Sequence, residues 1–181
     1  MSTLDQELQA YRALAQLLRS AKTMSERDPG DRRVVELGLT VRGRPARKRE
    51  ELAEAFDAVD AALAEAFLLR LVASFEATAF QKLATAIGEA RTTLDASFPE
   101  RKPYRRSAAH LLRDASDFDL KTLASMLRSH PGAPAEALEE LREHRNKVAH
   151  GGRIGKTSTF SNPTDVHRVL TELLASITDD E

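Results

Sequence analysis

The sequence predicts an all-α protein: an antiparallel bundle of about five to seven helices with one long central helix, and a small β-hairpin near residues 34–44. Three observations carry this. Neither glycine nor proline occurs between Pro45 and Gly88, while Leu52, Phe56, Val59, Leu63, Phe67, Leu71, Phe75, Leu83 and Ile87 hold a helical stripe throughout. Shorter segments on either side repeat apolar residues at the same period. Aromatic residues make up only 5% of the chain and alanine is abundant, which suits closely packed helices better than a thick sheet core.

The elements follow in order. Leu8, Tyr11, Leu14, Leu17 and Leu18 form the apolar face of a first helix from Leu4 to about Met24, which Asp28-Pro29-Gly30-Asp31 ends. Val35, Leu37, Leu39 and Val41 alternate, so Val34 to Val41 reads as an extended segment leading into the turn-rich Gly43-Arg44-Pro45. The long helix between Pro45 and Gly88 would run on the order of 60 Å, far enough to pair with more than one shorter helix, and Phe98-Pro99 closes it or a short successor. Shorter helices are then expected at residues 108–115, 119–129, 134–149 and 164–177. Pro134 suits a first helical turn, and Asn162-Pro163-Thr164-Asp165 makes a helix start. The 181 residues are expected to form a single domain, with an N-terminal helix and extended segment in residues 1–49 and a helical core in 50–178.

Composition removes several function classes. Without cysteine there are neither disulfides nor thiolate metal sites. No apolar run reaches membrane-spanning length and Met1 to Arg19 is amphipathic and charged, unlike a signal peptide, so a cytoplasmic location with no membrane partner is expected. A net charge of -1 argues against a uniformly basic nucleic-acid binder, but the charges are segregated. Five cations and no acid lie between Arg42 and Arg49, and six acids and no cation between Glu50 and Glu65, a boundary that fits a helix start. A second basic cluster, Arg101-Lys102-Pro103-Tyr104-Arg105-Arg106, reads as a loop in which Tyr104 offers a ring for a base to stack on.

Most informative is the run from Leu141 to Gly152. On a helix, Leu138, Leu141, Val148 and Ala149 share one face and Arg145 falls in its middle, where an unpaired guanidinium would be costly and must find an anion, a carboxylate or a partner subunit. Gly151 and Gly152 stop the helix and leave His150 in its last turn or at its C-cap. On a continued helix Arg145 and His150 would stand ~140° apart, so only the glycine break lets them converge on one ligand. Cleavage of RNA by its own 2′-hydroxyl needs a base, an acid and cations on the phosphate, which histidine and arginine supply without a metal or cofactor. One motif carries one histidine, so two chains meeting along this helix are the natural catalytic unit.

Arg-Asn-x-x-x-His at the end of a C-terminal helix resembles the HEPN superfamily (higher eukaryotes and prokaryotes nucleotide-binding domains), whose pattern of arginine, four to six residues and histidine is matched by Arg145, Asn146 and His150. Leu68 to Ala77 is similar to the helix that packs beside the motif in stand-alone bacterial members, with an acidic residue at Glu76. The likeness covers about residues 50–178. It implies a metal-independent RNA endonuclease, homodimeric with a composite site, of the kind found in toxin-antitoxin pairs, phage defence and RNA processing, and so a cognate antitoxin as a further partner. By that likeness His150 is the general base or acid, Arg145 the phosphate clamp, Asn146 a positioning donor and Glu76 a bidentate orienter of Arg145, while Lys147, Arg101, Lys102, Tyr104, Arg105 and Arg106 contact RNA.

A second reading stands beside this one. Arg145 would pair with a carboxylate across a helix contact, His150 would cap a helix, and the chain would be a non-catalytic HEPN-like module binding a nucleotide, an RNA or a partner protein. Other motifs fall away. Gly151 to Thr157 ends like a phosphate-binding loop, but His150 stands where its first glycine belongs and a helix precedes it. His144 and His150 are six apart, which supports no zinc site, and the remaining His110, His130 and His167 read as scattered surface residues.

Overall fold

The computed structural model describes residues 2–97, 119–128, 135–150, 160 and 162–177. The protein is all-α, with six helices and one two-stranded antiparallel hairpin among the described residues. They are α1 (Thr3–Arg27), α2 (Arg32–Glu36), β1 (Thr40–Val41), β2 (Arg44–Pro45), α3 (Arg49–Ser97), α4 (Leu120–Arg128), α5 (Ala135–Ala149) and α6 (Pro163–Ser176). None of the helices is long and apolar enough to cross a membrane, among the described residues. The expected helix at 108–115, the basic cluster at 101–106, Pro134 and the segment 151–159 lie outside the described residues. The chain forms two compact units, Met1–Leu71 with Lys147–His167 and Val72–Asn146 with Arg168–Glu181.

In the first unit α1 starts on a capping box: Ser2 Oγ accepts from the Asp5 N–H at 3.2 Å while the Asp5 carboxylate accepts from the Ser2 N–H at 3.0 Å. The Ser2 hydroxyl also donates to the Asp5 carboxylate at 2.8 Å, and this bond, with that from the Ser2 N–H, favours the ionised form and holds the pKa below the usual value. The buried face carries Leu4, Leu8 and Ala15, and α1 runs antiparallel to the first half of α3, as three pairings show. Glu7 meets Arg70, Tyr11 stacks at a tilt on Phe67, and Lys22 meets Asp57. Leu52, Phe56, Phe67, Leu68 and Leu71 of α3, with Phe160 and Val166, are also buried, each worth about 1.5–3 kcal/mol on removal from water.

The extended reading of Val34 to Val41 is corrected in its first half, since Arg32–Glu36 is a helix. Asp31 is the cause. Its carboxylate accepts from the Arg33 N–H at 2.8 Å and its carbonyl from the N–H groups of Val34 and Val35, so the Asp cap outweighs the alternating pattern. Gly38 (φ 62°) releases the chain into the hairpin, where Val41 pairs with Arg44 and Thr40 with Pro45 across a two-residue turn.

Helix α3 runs 49 residues, ~73 Å at 1.5 Å per residue. At its start the Glu51 carboxylate accepts from the N–H groups of Arg47 and Lys48 at 3.0 and 3.2 Å, answering donors that a helix terminus leaves unsatisfied. Gly88 lies within it. A single interior glycine costs only about 1 kcal/mol, too little to break so long a run.

The second unit buries Val72, Phe75 and Ala79 from α3, Leu120, Leu123 and Ala124 from α4, Leu138 and Leu141 from α5, and Leu170 and Leu173 from α6. α4 and α5 run antiparallel: Arg128 pairs with Glu139 at one end, and Leu120 and Lys121 share a cleft with Arg145 and Asn146 at the other. α6 begins as its sequence predicts, with the Asn162 side chain accepting from the Thr164 N–H at 2.9 Å and Pro163 as the first helical residue.

Candidate functional site

Helix α5 sets the site by its stripe. Leu138 and Leu141 are fully buried and His144 is 8% exposed, so the inner face continues through His144 and the half-buried Arg145 and Val148, while Ala149 is exposed. His144 is therefore a core histidine and not a surface one, because three residues beyond Leu141 the helix has returned almost to the same side. His167 also departs from the scattered-surface reading. It is mostly buried, with Nε2 3.0 Å from Asp5 Oδ1, where α6 meets the start of α1 in the first unit.

In the second unit the guanidinium of Arg145 makes two polar contacts. Nη2 donates to Glu76 Oε2 at 3.4 Å and Nη1 to Asn146 Oδ1 at 3.3 Å. The pairing with Glu76 joins α5 to α3 as anticipated, but through one long contact and not a bidentate fork. Burial pushes the Glu76 carboxyl above its ordinary pKa, and the opposing pull of Arg145 does not cancel this.

These three side chains open on a cleft of about 290 Å³ that Phe80, Asp119, Lys121 and Arg142 also line. That volume accommodates a phosphate-sized group and lies at the low end for an organic ligand. Arg142 and Lys121 are the residues that sequence reasoning did not single out. Arg142 stands three before Arg145 on the same helix, and that i, i+3 spacing of two arginines was the signal that could have found it. Its Nε is buried with no hydrogen-bond partner among the described residues, and its Nη2 is 3.7 Å from Glu139, which also serves Arg128. Asp119 caps α4, accepting at 2.7 Å from both the N–H and the hydroxyl of Thr122, bonds that lower its pKa and commit its charge to the helix terminus. Three cations thus face the cleft against one carboxylate tied to a cap and one raised in pKa, a balance suited to an added anion.

Of the other expected site residues, Lys147 is exposed on the last turn of α5. His150 follows Ala149 as the first residue beyond the helix and is exposed, the C-cap placement its two glycines suggest. Arg101, Lys102, Tyr104, Arg105 and Arg106 lie outside the described residues. Comparison with protein-family models, with curated proteins and with solved structures finds no match to this chain.

Proposed function

We propose that the chain is a metal-independent RNA endonuclease that acts as a homodimer through a composite Arg-Asn-x-x-x-His site, of the toxin or phage-defence type. The observation that carries this reading is Arg145, a half-buried guanidinium beside the seam of α5 whose contact with Glu76 is a single one of 3.4 Å and whose cleft holds two further cations. Here the fork keeps donor capacity for the two non-bridging oxygens of a phosphodiester, the atoms that gain charge as the 2′-hydroxyl attacks.

In this scheme Arg145 clamps the phosphate, Asn146 fixes the guanidinium through its side-chain oxygen, and Glu76 sets the angle of the fork from α3. Exposed His150 takes the proton from the 2′-hydroxyl or returns one to the leaving 5′-oxygen, and the same residue of a second copy does the other task. Bonds balance without water or metal: the 2′-oxygen forms the new bond to phosphorus, the 5′-oxygen leaves protonated, and a 2′,3′-cyclic phosphate remains.

Purified protein incubated with a broad RNA panel in EDTA tests the reading. His150→Ala and Arg145→Ala proteins that retain the parent's circular dichroism should lose cleavage by on the order of 10² to 10³-fold. Parental activity in both variants would remove Arg145 and His150 from the chemistry, and an inert parent that binds RNA tightly would make the chain a non-catalytic RNA-binding module instead.

A further inference from the structure

The hairpin between α2 and α3 carries charge in an unusual way. Five cations, Arg42, Arg44, Arg47, Lys48 and Arg49, follow one another without an acid, and all five are exposed. Several other cations of the first unit are matched, Arg32 with Glu36, Arg33 with Asp31, Arg70 with Glu7 and Lys22 with Asp57, while exposed Arg12, Arg19 and Arg27 of α1 stand apart along the helix and not in one run. Among the described residues no carboxylate forms an ion pair with any of the five. Carboxylates are close at hand, since Glu50, Glu51 and Glu54 line the same recess as Arg42 and Arg44, but Glu51 is spent on the backbone N–H groups of Arg47 and Lys48.

Backbone strain points the same way. Arg42 is the one non-glycine residue with positive φ among the described residues, at 53°, and Gly43 follows at 76°. A two-residue hairpin turn with both central residues left-handed prefers asparagine or glycine at the first position, so arginine there is held against its backbone preference. The hairpin is firmly based all the same. The Ala46 N–H donates to the Leu39 carbonyl at 2.8 Å below the paired residues, and buried Val34 of α2 anchors the segment that leads in.

We infer that this hairpin is a fixed arm that grips the phosphate backbone of RNA, with Arg42 and Arg44 as its leading contacts and Arg47, Lys48 and Arg49 as a supporting basic edge. The inference rests on the RNA reading given above and adds a binding element separate from the Arg145 cleft. The tip, Arg42-Gly43-Arg44, has neither an apolar nor an aromatic side chain to enter a bilayer, whereas successive cations on a hairpin match a repeating phosphate chain.

Fluorescence anisotropy with a 5′-labelled single-stranded RNA of about 20 nucleotides decides it, in His150→Ala protein so that the probe stays intact. Adding Arg42→Ala and Arg44→Ala should weaken binding on the order of tenfold at low salt. The slope of log K against log salt should shrink by roughly 0.7 for each cation lost. Arg12→Ala with Arg27→Ala, which removes equal charge from exposed positions on α1, should bind as His150→Ala alone does. The arm is overturned if both double variants lose affinity equally, if neither does, or if His150→Ala protein fails to bind RNA at all. It is overturned too if the Arg42 and Arg44 changes abolish binding to phosphatidylserine vesicles while leaving RNA affinity intact. Absence of cleavage by the parent, with hairpin-dependent binding preserved, would remove the nuclease reading and leave the arm standing.

Discussion

Arg145 stands where an aliphatic side chain would continue the seam of Leu138 and Leu141, and its surroundings set its use. Glu76 holds it through one long contact, and Arg142 beside it has a buried donor without a partner among the described residues. Leaving such a donor unmade costs about 1–3 kcal/mol, and a bound phosphate would answer it. Arg142→Met should therefore leave folding stability unchanged or raised in urea titrations, while the RNA dissociation constant rises on the order of tenfold. Lower stability with unchanged RNA affinity would make Arg142 a structural residue. Glu76 gives a pH signature. Its carboxyl binds a proton more tightly in the folded protein than in the unfolded chain, so ionisation costs folding stability once the pH passes the ordinary glutamate value of 4.5. Below that value the cost vanishes. The stability of Glu76→Gln relative to the parent should therefore move in the variant's favour as pH rises from about 4 to about 7, and parallel curves would deny the raised pKa.

At the scale of elements, the β1–β2 hairpin sets a local preference against a proposed function. Arg42→Asn should relax the turn and raise stability by about 0.5–1 kcal/mol, since asparagine before glycine suits two successive left-handed residues. On the arm reading the same variant binds RNA less well; if affinity holds, Arg42 is merely tolerated. The helices themselves were legible because period and punctuation agreed: the stripe from Leu52 to Ile87 without an interior breaker gave α3, and Asn162-Pro163 gave the start of α6. Val34 was misread because alternation over Val35, Leu37, Leu39 and Val41 is weaker than one well-placed cap at Asp31, and Val35 and Leu37 prove to be exposed. His144 was read only for metal companions, whereas its burial follows from the face it occupies on α5. The link between Arg145 and Glu76 was anticipated, but not its looseness, and the cleft with Lys121 depends on the antiparallel pairing of α4 and α5, which no local pattern encodes.

For the whole molecule, a net charge of -1 conceals a basic hairpin and a cation-lined cleft, so on the proposed reading RNA affinity should fall steeply with salt despite near neutrality. On the proposed reading, one histidine per motif would make activity a property of an assembled pair. Specific activity should drop as the protein is diluted through the range where sedimentation velocity records dimers giving way to monomers; activity constant per chain across that range would mean that a single copy suffices. The chemistry itself leaves a mark on the product. The most direct measurement is mass spectrometry of the ends formed when the protein cleaves RNA in EDTA: transesterification driven by Arg145 and His150 leaves 2′,3′-cyclic phosphate and 5′-hydroxyl ends that vanish in His150→Ala, whereas 5′-phosphate ends, or cyclic ends that persist in that variant, would contradict it.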